Sequence, residues 1–253
     1  GMRTRSTVGS DDRAVSDVVG YVLIFSLITI SVGVITVGGF STLEDRQDAE
    51  RINNAERAFD VFAANMEDVY RDGAPSRATE MRLSGGTLRY GEPVNITVAD
   101  TDSPDTNATI QTTPLVYADG GTEIIYVAGA IIRNEGDSAV MIRDPPFRFG
   151  PDQRLVPLVQ TIDFPGVTTI SADGTVRIRT ISVERTATPD PGLSEADEIQ
   201  IDVTTPRTDV WERYFEQQQT EIGGSVSADD DKVRYTLEKK TLSTPQFRIQ
   251  IRL

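Results

Sequence analysis

Residues Val18–Leu43 read VVGYVLIFSLITISVGVITVGGFSTL, 26 residues without a charge. As a helix at roughly 1.5 Å per residue the stretch would be about 39 Å long, enough to cross a hydrocarbon core of about 30 Å with some tilt. Val18, Tyr21, Leu23, Phe25, Leu27, Ile28, Ile30 and Ile35, with Gly20 among them, leave no polar side on such a helix. Burial in a soluble core would therefore need apolar partners all round. A cleaved secretory signal has an apolar region of roughly 7 to 15 residues ending in a small-x-small site, and nothing here matches that. The stretch predicts a membrane span, part of a helix over 15–43, that follows a short polar tail, residues 1–14.

Before the span stands Asp11-Asp12-Arg13-Ala14-Val15-Ser16-Asp17-Val18-Val19-Gly20. A charged tail and a small residue that open through Val-Ser into an apolar helix resemble the N-terminal signature of haloarchaeal type IV pilin-like proteins, and the resemblance covers Asp11 to Leu43. It implies cleavage by a prepilin peptidase at the cytoplasmic face between Ala14 and Val15, within the junction Arg13-Ala14-Val15-Ser16, with the span kept as the new N-terminus. It also implies the partners: a membrane crossed once with the N-terminus inside, the prepilin peptidase and pilus assembly machinery, and other pilin-like subunits or further copies of the chain. Asp17 stands where those pilins carry proline, which favours a pilin-like or minor subunit. Charge counting does not orient the span by itself, because Arg46, Arg51 and Arg57 after it match Arg3, Arg5 and Arg13 before it.

Beyond Leu43 the chain becomes charged and keeps a helical period. Ile52, Ala55, Phe59, Phe62, Met66 and Val69 recur at alternating steps of three and four, an a/d seam that can pack in a coiled coil or against a sheet of its own domain. So few heptads favour the chain's own domain. Gly73-Ala74-Pro75 ends the run, giving an amphipathic stalk over 44–74. If Val15 to Asp72 is one helix it measures about 87 Å; Gly38-Gly39 is then a candidate bend.

From Thr79 the period changes to two, predicting a β-rich domain over 75–253. Ser84-Gly85-Gly86 reads as the turn of a hairpin between Glu80–Leu83 and Thr87–Tyr90. Asp119-Gly120-Gly121 separates Leu115–Tyr117 from a strand over Glu123–Ile132, and Asn134–Asp137 turns into Ala139–Ile142. Val176–Arg179, Ile199–Val203 and Phe247–Leu253 alternate apolar with charged or polar, the pattern of one-sided antiparallel strands. A short helix near 207–219, capped by Thr208 or Asp209, carries Trp211, Tyr214 and Phe215 on one side. Those aromatics either close one end of the β core or offer a subunit contact or glycan platform. The expected fold class is α+β, a long N-terminal helix carrying a mainly antiparallel β-sandwich.

The 25 basic and 39 acidic residues give a net charge of −14, all of it beyond the span, and only Lys232, Lys239 and Lys240 are lysines. So acidic a surface suits a salt-saturated milieu that screens self-repulsion, hence a halophilic and, by the resemblance, archaeal host. No basic block suggests nucleic acid as a partner. Without cysteine or histidine there is no disulfide, Ser-His-Asp triad, Cys-His dyad or histidine-bound zinc, and no cofactor motif stands in the chain. The carboxylates single out no catalytic pair, so no enzyme is expected. Asp100, Asp102, Asp105 and Asn107 match no calcium-loop spacing, and no metal is assigned. Asn95-Ile96-Thr97 and Asn107-Ala108-Thr109 are glycosylation sequons that favour an external location. The functional expectation is a pilin-like cell-surface protein that is anchored, processed and assembled through its apolar helix, displaying the β domain for adhesion or surface contact. The alternative is a ligand- or surface-binding ectodomain on a permanent single span.

Overall fold

The protein is described here by a computed structural model covering residues 11–186, 193 and 197–253, with side chains at 18–36, 47–186, 193 and 197–253. Helix α1 (Asp11–Tyr70) opens it. The chain's contacts divide it into two compact units at the Glu50–Arg51 bond. The Arg51–Tyr70 part of α1 packs into the second unit.

That unit is mixed α and β with mostly antiparallel pairing. Its strands are β1 (Ser76–Tyr90), β2 (Val94–Asp100), β3 (Asn107–Thr112), β4 (Leu115–Asp119), β5 (Thr122–Val127), β6 (Ala130–Glu135), β7 (Ser138–Arg143) and β8 (Arg148–Phe149). After them come β9 (Gln153–Leu155), β10 (Leu158–Ile162), β11 (Thr169–Thr186), β12 (Glu198–Thr204), helix α2 (Thr208–Ile222), β13 (Ser225–Ala228), β14 (Lys232–Glu238), β15 (Thr241–Ser243) and β16 (Gln246–Arg252). An eight-stranded sheet runs β10-β16-β11-β1-β4-β5-β6-β7, a five-stranded sheet β13-β14-β12-β2-β3, and a small three-stranded sheet β15-β9-β8. Only β10 with β16 and β15 with β9 are parallel.

Period-two alternation gives the eight-stranded sheet one apolar face beneath α1 and, over β4 to β7, a second on the other side, and each builds a core. On one face Ile52, Ala55, Phe59, Phe62, Met66 and Val69 of α1 are all buried against Met81, Leu88, Tyr126, Ile178 and Ile249. The seam thus packs on the chain's own sheet, with Phe62 edge-on to Tyr126 at 5.1 Å between ring centroids. Ion pairs line both flanks of the seam: Arg133 to Glu56 at 2.8 Å and Arg143 to Asp60 at 2.7 Å on one side, Arg77 to Asp68 at 3.1 Å on the other. On the opposite face Val116, Ile125 and Ile132 share a second core with Ile96, Ile201 and Tyr235 of the five-stranded sheet and with Val210, Trp211, Tyr214 and Phe215 of α2. The α2 aromatics are therefore core-closing side chains, which removes the subunit-contact and glycan-platform readings.

Each lateral edge of the large sheet carries a contact from another element. At β10, Thr161 N–H donates to Thr112 Oγ1 at 3.0 Å and Thr161 Oγ1 donates to Thr113 O at 2.6 Å, so the fully buried threonines 112 and 161 join the two sheets at a corner. At β7, α2 lies alongside and Arg213 Nη2 donates to the Ala139 carbonyl.

Three local expectations fail. Ser84-Gly85-Gly86 is not a hairpin turn, because both halves of β1 pair with the one partner β11 and the register shifts between Ser84 and Thr87. The glycines make a bulge there, with Gly86 at φ 77° and a Cβ at that site falling 2.5 Å from Ala118 O, so only glycine lets β1 approach β4. Glu123–Ile132 is not one strand, since Ala128 and Gly129, at φ 51° and 90°, turn it back as β5 and β6. Neither Thr208 nor Asp209 caps α2; Arg207 holds the cap position without a side-chain cap bond, and Asp209 pairs with Arg213 one turn on at 3.0 Å.

Candidate functional site: the unburied apolar helix

Between Val18 and Thr36 the helix has a mean hydropathy of 2.5 and none of it is buried. Exposure runs from 51% at Val19 to 72% at Ile35. Contiguous apolar surface of that extent on a soluble protein marks a contact with lipid or with other chains. The two hydroxyls in the middle of the segment do not interrupt it, because Thr29 Oγ1 donates to Phe25 O at 2.8 Å and Ser31 Oγ to Leu27 O at 2.7 Å. Both polar groups are satisfied within the helix, as an apolar surrounding requires. Tyr21 stacks on Phe25 one turn on, at 6.3 Å between centroids. Val18, Tyr21, Leu23, Phe25, Leu27, Ile28, Ile30 and Ile35 are thus outward on all sides, and Gly20 and Gly33 have open space around them. The segment is long and apolar enough to cross a membrane. The side chains of Arg13, Ala14, Val15 and Ser16, and those around Gly38-Gly39, lie outside the described residues, while the bounds of α1 include both places.

The structure brings the two sequons together. Asn95 on β2 and Asn107 on β3 lie on neighbouring strands, with Thr97 directly opposite Thr109 and the two hydroxyl oxygens 2.9 Å apart. Core residues Ile96, Val98, Ala108 and Ile110 alternate with them, so both asparagines stand on the solvent face of the five-stranded sheet. They differ in their surroundings: Asn107 Nδ2 donates to Pro104 O and Asp105 O at 3.0 and 3.2 Å, and Thr109 Oγ1 donates to Asn107 Oδ1 at 3.0 Å. In the adjoining loop Asp100 Oδ1 accepts the Asp102 N–H at 2.9 Å, a local turn bond.

A feature with no sequence signal is a cleft of about 460 Å³ lined by Arg89, Pro114, Val116, Asn134, Asp137 and Arg207 among others. Beside it Glu123 takes Arg89 Nη2 at 2.6 Å on one oxygen, and Arg207 Nη2 at 2.7 Å and Asn134 Nδ2 at 3.2 Å on the other. Burial alone would raise the Glu123 pKa; the Asn134 hydrogen bond and the Arg207 and Arg89 charges outweigh it, and the carboxyl sits below its ordinary value. Arg207 Nε is buried without a partner among the described residues. β1, β5, β6 and the chain before α2 each supply one of these groups, so no local motif could have announced them.

An α+β protein with an apolar, unburied N-terminal helix is the class these features define. The chain belongs to the Family of unknown function (DUF7289), which matches residues 13–252. No curated protein matches it. Nor does any solved structure.

Proposed function

We propose that this is an archaeal type IV pilin-like surface protein. It is anchored by its apolar helix until a prepilin peptidase cuts between Ala14 and Val15, and is then assembled through that helix with its own copies or related subunits. In this reading α1 is one long helix, and the two large sheets form a β-sandwich displayed outside the cell for adhesion or surface contact, with Asn95 and Asn107 as glycan acceptors. One observation carries it: the unburied Val18–Thr36 surface directly follows the Arg13-Ala14-Val15-Ser16 junction. The same apolar side chains serve lipid before processing and neighbouring helices afterwards. Mass spectrometry of the native N-terminus tests it. A mature chain beginning at Val15 is expected, and one that retains Met2 would sink the proposal.

The cleft beside Glu123 supports a second reading, a permanently anchored ectodomain that binds a small ligand. Comparing membrane fractions with sheared filaments separates the two, since the ectodomain stays wholly with the membrane.

A further inference from the structure

Alternation along β1, β11 and β16 sends Met81, Val176, Ile178, Ile249 and Ile251 into the core beneath α1. The residues between them point the other way. No described residue of these three strands belongs to the second core, so the opposite face of this part of the sheet is not covered by the five-stranded sheet. It carries Arg82, Arg177, Arg179, Arg248 and Arg252, against Glu80, Asp173 and Glu184. In the whole chain acids outnumber bases 39 to 25, so this face inverts the balance of the molecule.

Three of these charges have no carboxylate partner among the described residues. Arg177 reaches Glu80 at 2.6 Å, and Arg248 stands 3.8 Å from Glu184. Among the described residues Arg82, Arg179 and Arg252 are the three; Arg252 donates to Gln250 Oε1 at 3.0 Å and lies over the Phe164 ring, and Arg179 stands directly opposite it in the ladder. Like charges opposed across two strands are destabilising unless something neutralises them. Cross-strand neighbours are roughly 4.8 Å apart and next-but-one residues along a strand roughly 6.7 Å. The arginines therefore form a flat array, suited to a surface with several carboxylates rather than to one small anion.

Such a surface exists on the same molecule. Asp209 and Glu212 in the first turns of α2 and Asp229 and Asp230 at the β13–β14 turn line an open concavity of about 550 Å³. Asp209, Asp229 and Asp230 are exposed.

We infer that the arginine face of β1, β11 and β16 docks the acidic concavity of a second copy of this chain. Copies at −14 repel one another through most of their surfaces, and this is the pairing that charge complementarity favours. The two surfaces differ, so the contact is heterologous and propagates from copy to copy or closes a ring. It stands on the compact unit beginning at Arg51 and requires no cleavage at Ala14.

Charge reversal in the full chain, held in neutral detergent with its apolar helix intact, tests the contact by sedimentation velocity. Arg177→Glu with Arg179→Glu, or Asp229→Arg with Asp230→Arg, should each weaken self-association about tenfold or more in about 0.1 M salt. An equimolar mixture of the two variants should restore it, because each supplies the surface the other has lost. Wild-type association should weaken by 1 M salt without vanishing: the long-range attraction is lost as the screening length contracts to about 3 Å, while guanidinium–carboxylate pairs closed within the contact are screened much less. Arg82→Glu with Arg248→Glu replaces the first pair if that variant does not fold. Variants that associate like the wild type, or a mixture that restores nothing, overturn the inference. So does loss of binding to vesicles of anionic lipid with self-association unchanged, which makes the face a lipid contact. All variants keep the helix and the Ala14–Val15 bond, so these outcomes are independent of whether the chain is processed.

Discussion

Helix α1 contains two segments that answer to different surroundings. From Val18 to Thr36 its apolar residues point in every direction and none is buried; from Ile52 to Val69 six of them form one seam and all six are buried, while Val61 off the seam is exposed. Backbone geometry is the same in both, so the difference lies in the angular distribution of apolar side chains alone. A uniform distribution needs an apolar surrounding, and a seam needs one apolar face. What each segment contacts can thus be read from the sequence before any partner is known.

The sharpest way to break this contrast is to truncate one side chain in each segment. Phe62→Ala removes a fully buried ring packed on Tyr126 and should lower the unfolding free energy by about 3–5 kcal/mol, while Ile30→Ala should leave it within about 0.5 kcal/mol. Denaturant titration of the full chain in detergent, followed by tryptophan emission from Trp211, reads both. A charge inverts the ranking. Ile28→Lys should cost about 3 kcal/mol of membrane insertion and move the chain toward the aqueous fraction without changing that titration.

Smaller effects test the polar groups around the sheet. Glu123→Gln removes a carboxylate held by Arg89 and Arg207 and should cost about 2 kcal/mol, below the range for a fully buried pair because Arg89 is partly solvated. The pH dependence has a definite sign. A carboxyl whose pKa is lowered on folding stabilises above its unfolded value, near 4.5, and that contribution is lost as the pH falls through the folded value. In the Gln variant this part of the acid sensitivity should vanish. Arg143→Ala, which removes the partner of Asp60 and leaves Glu67 of α1 with Arg71 alone, should cost only about 0.5–1 kcal/mol by the same titration, because the seam beneath holds the helix.

Elements written in a local period were legible in the sequence: the apolar span, the seam, the alternating strands β12 and β16 and the helix α2. What failed depends on residues distant in the chain. Ser84-Gly85-Gly86 has the composition of a turn, and it becomes a bulge because β11 is long enough to pair with both of its flanks. YVAGAII has the composition of one buried strand, yet Ala128 tolerates positive φ and the chain folds back on itself. Glu123 and its arginines were invisible for the same reason, as they lie 34 and 84 residues apart and meet only once the sheet forms.

The contacts at the edges of the eight-stranded sheet have a consequence for how copies behave at high density. An open strand edge zips onto any similar edge it meets, and crowding turns such encounters into aggregation. Here the Ala139 carbonyl on β7 is already taken by Arg213, and β10 is stitched to β3 through Thr112 and Thr161. At these positions the backbone of one copy offers little to a strand edge of another, and order between neighbours falls there to side chains.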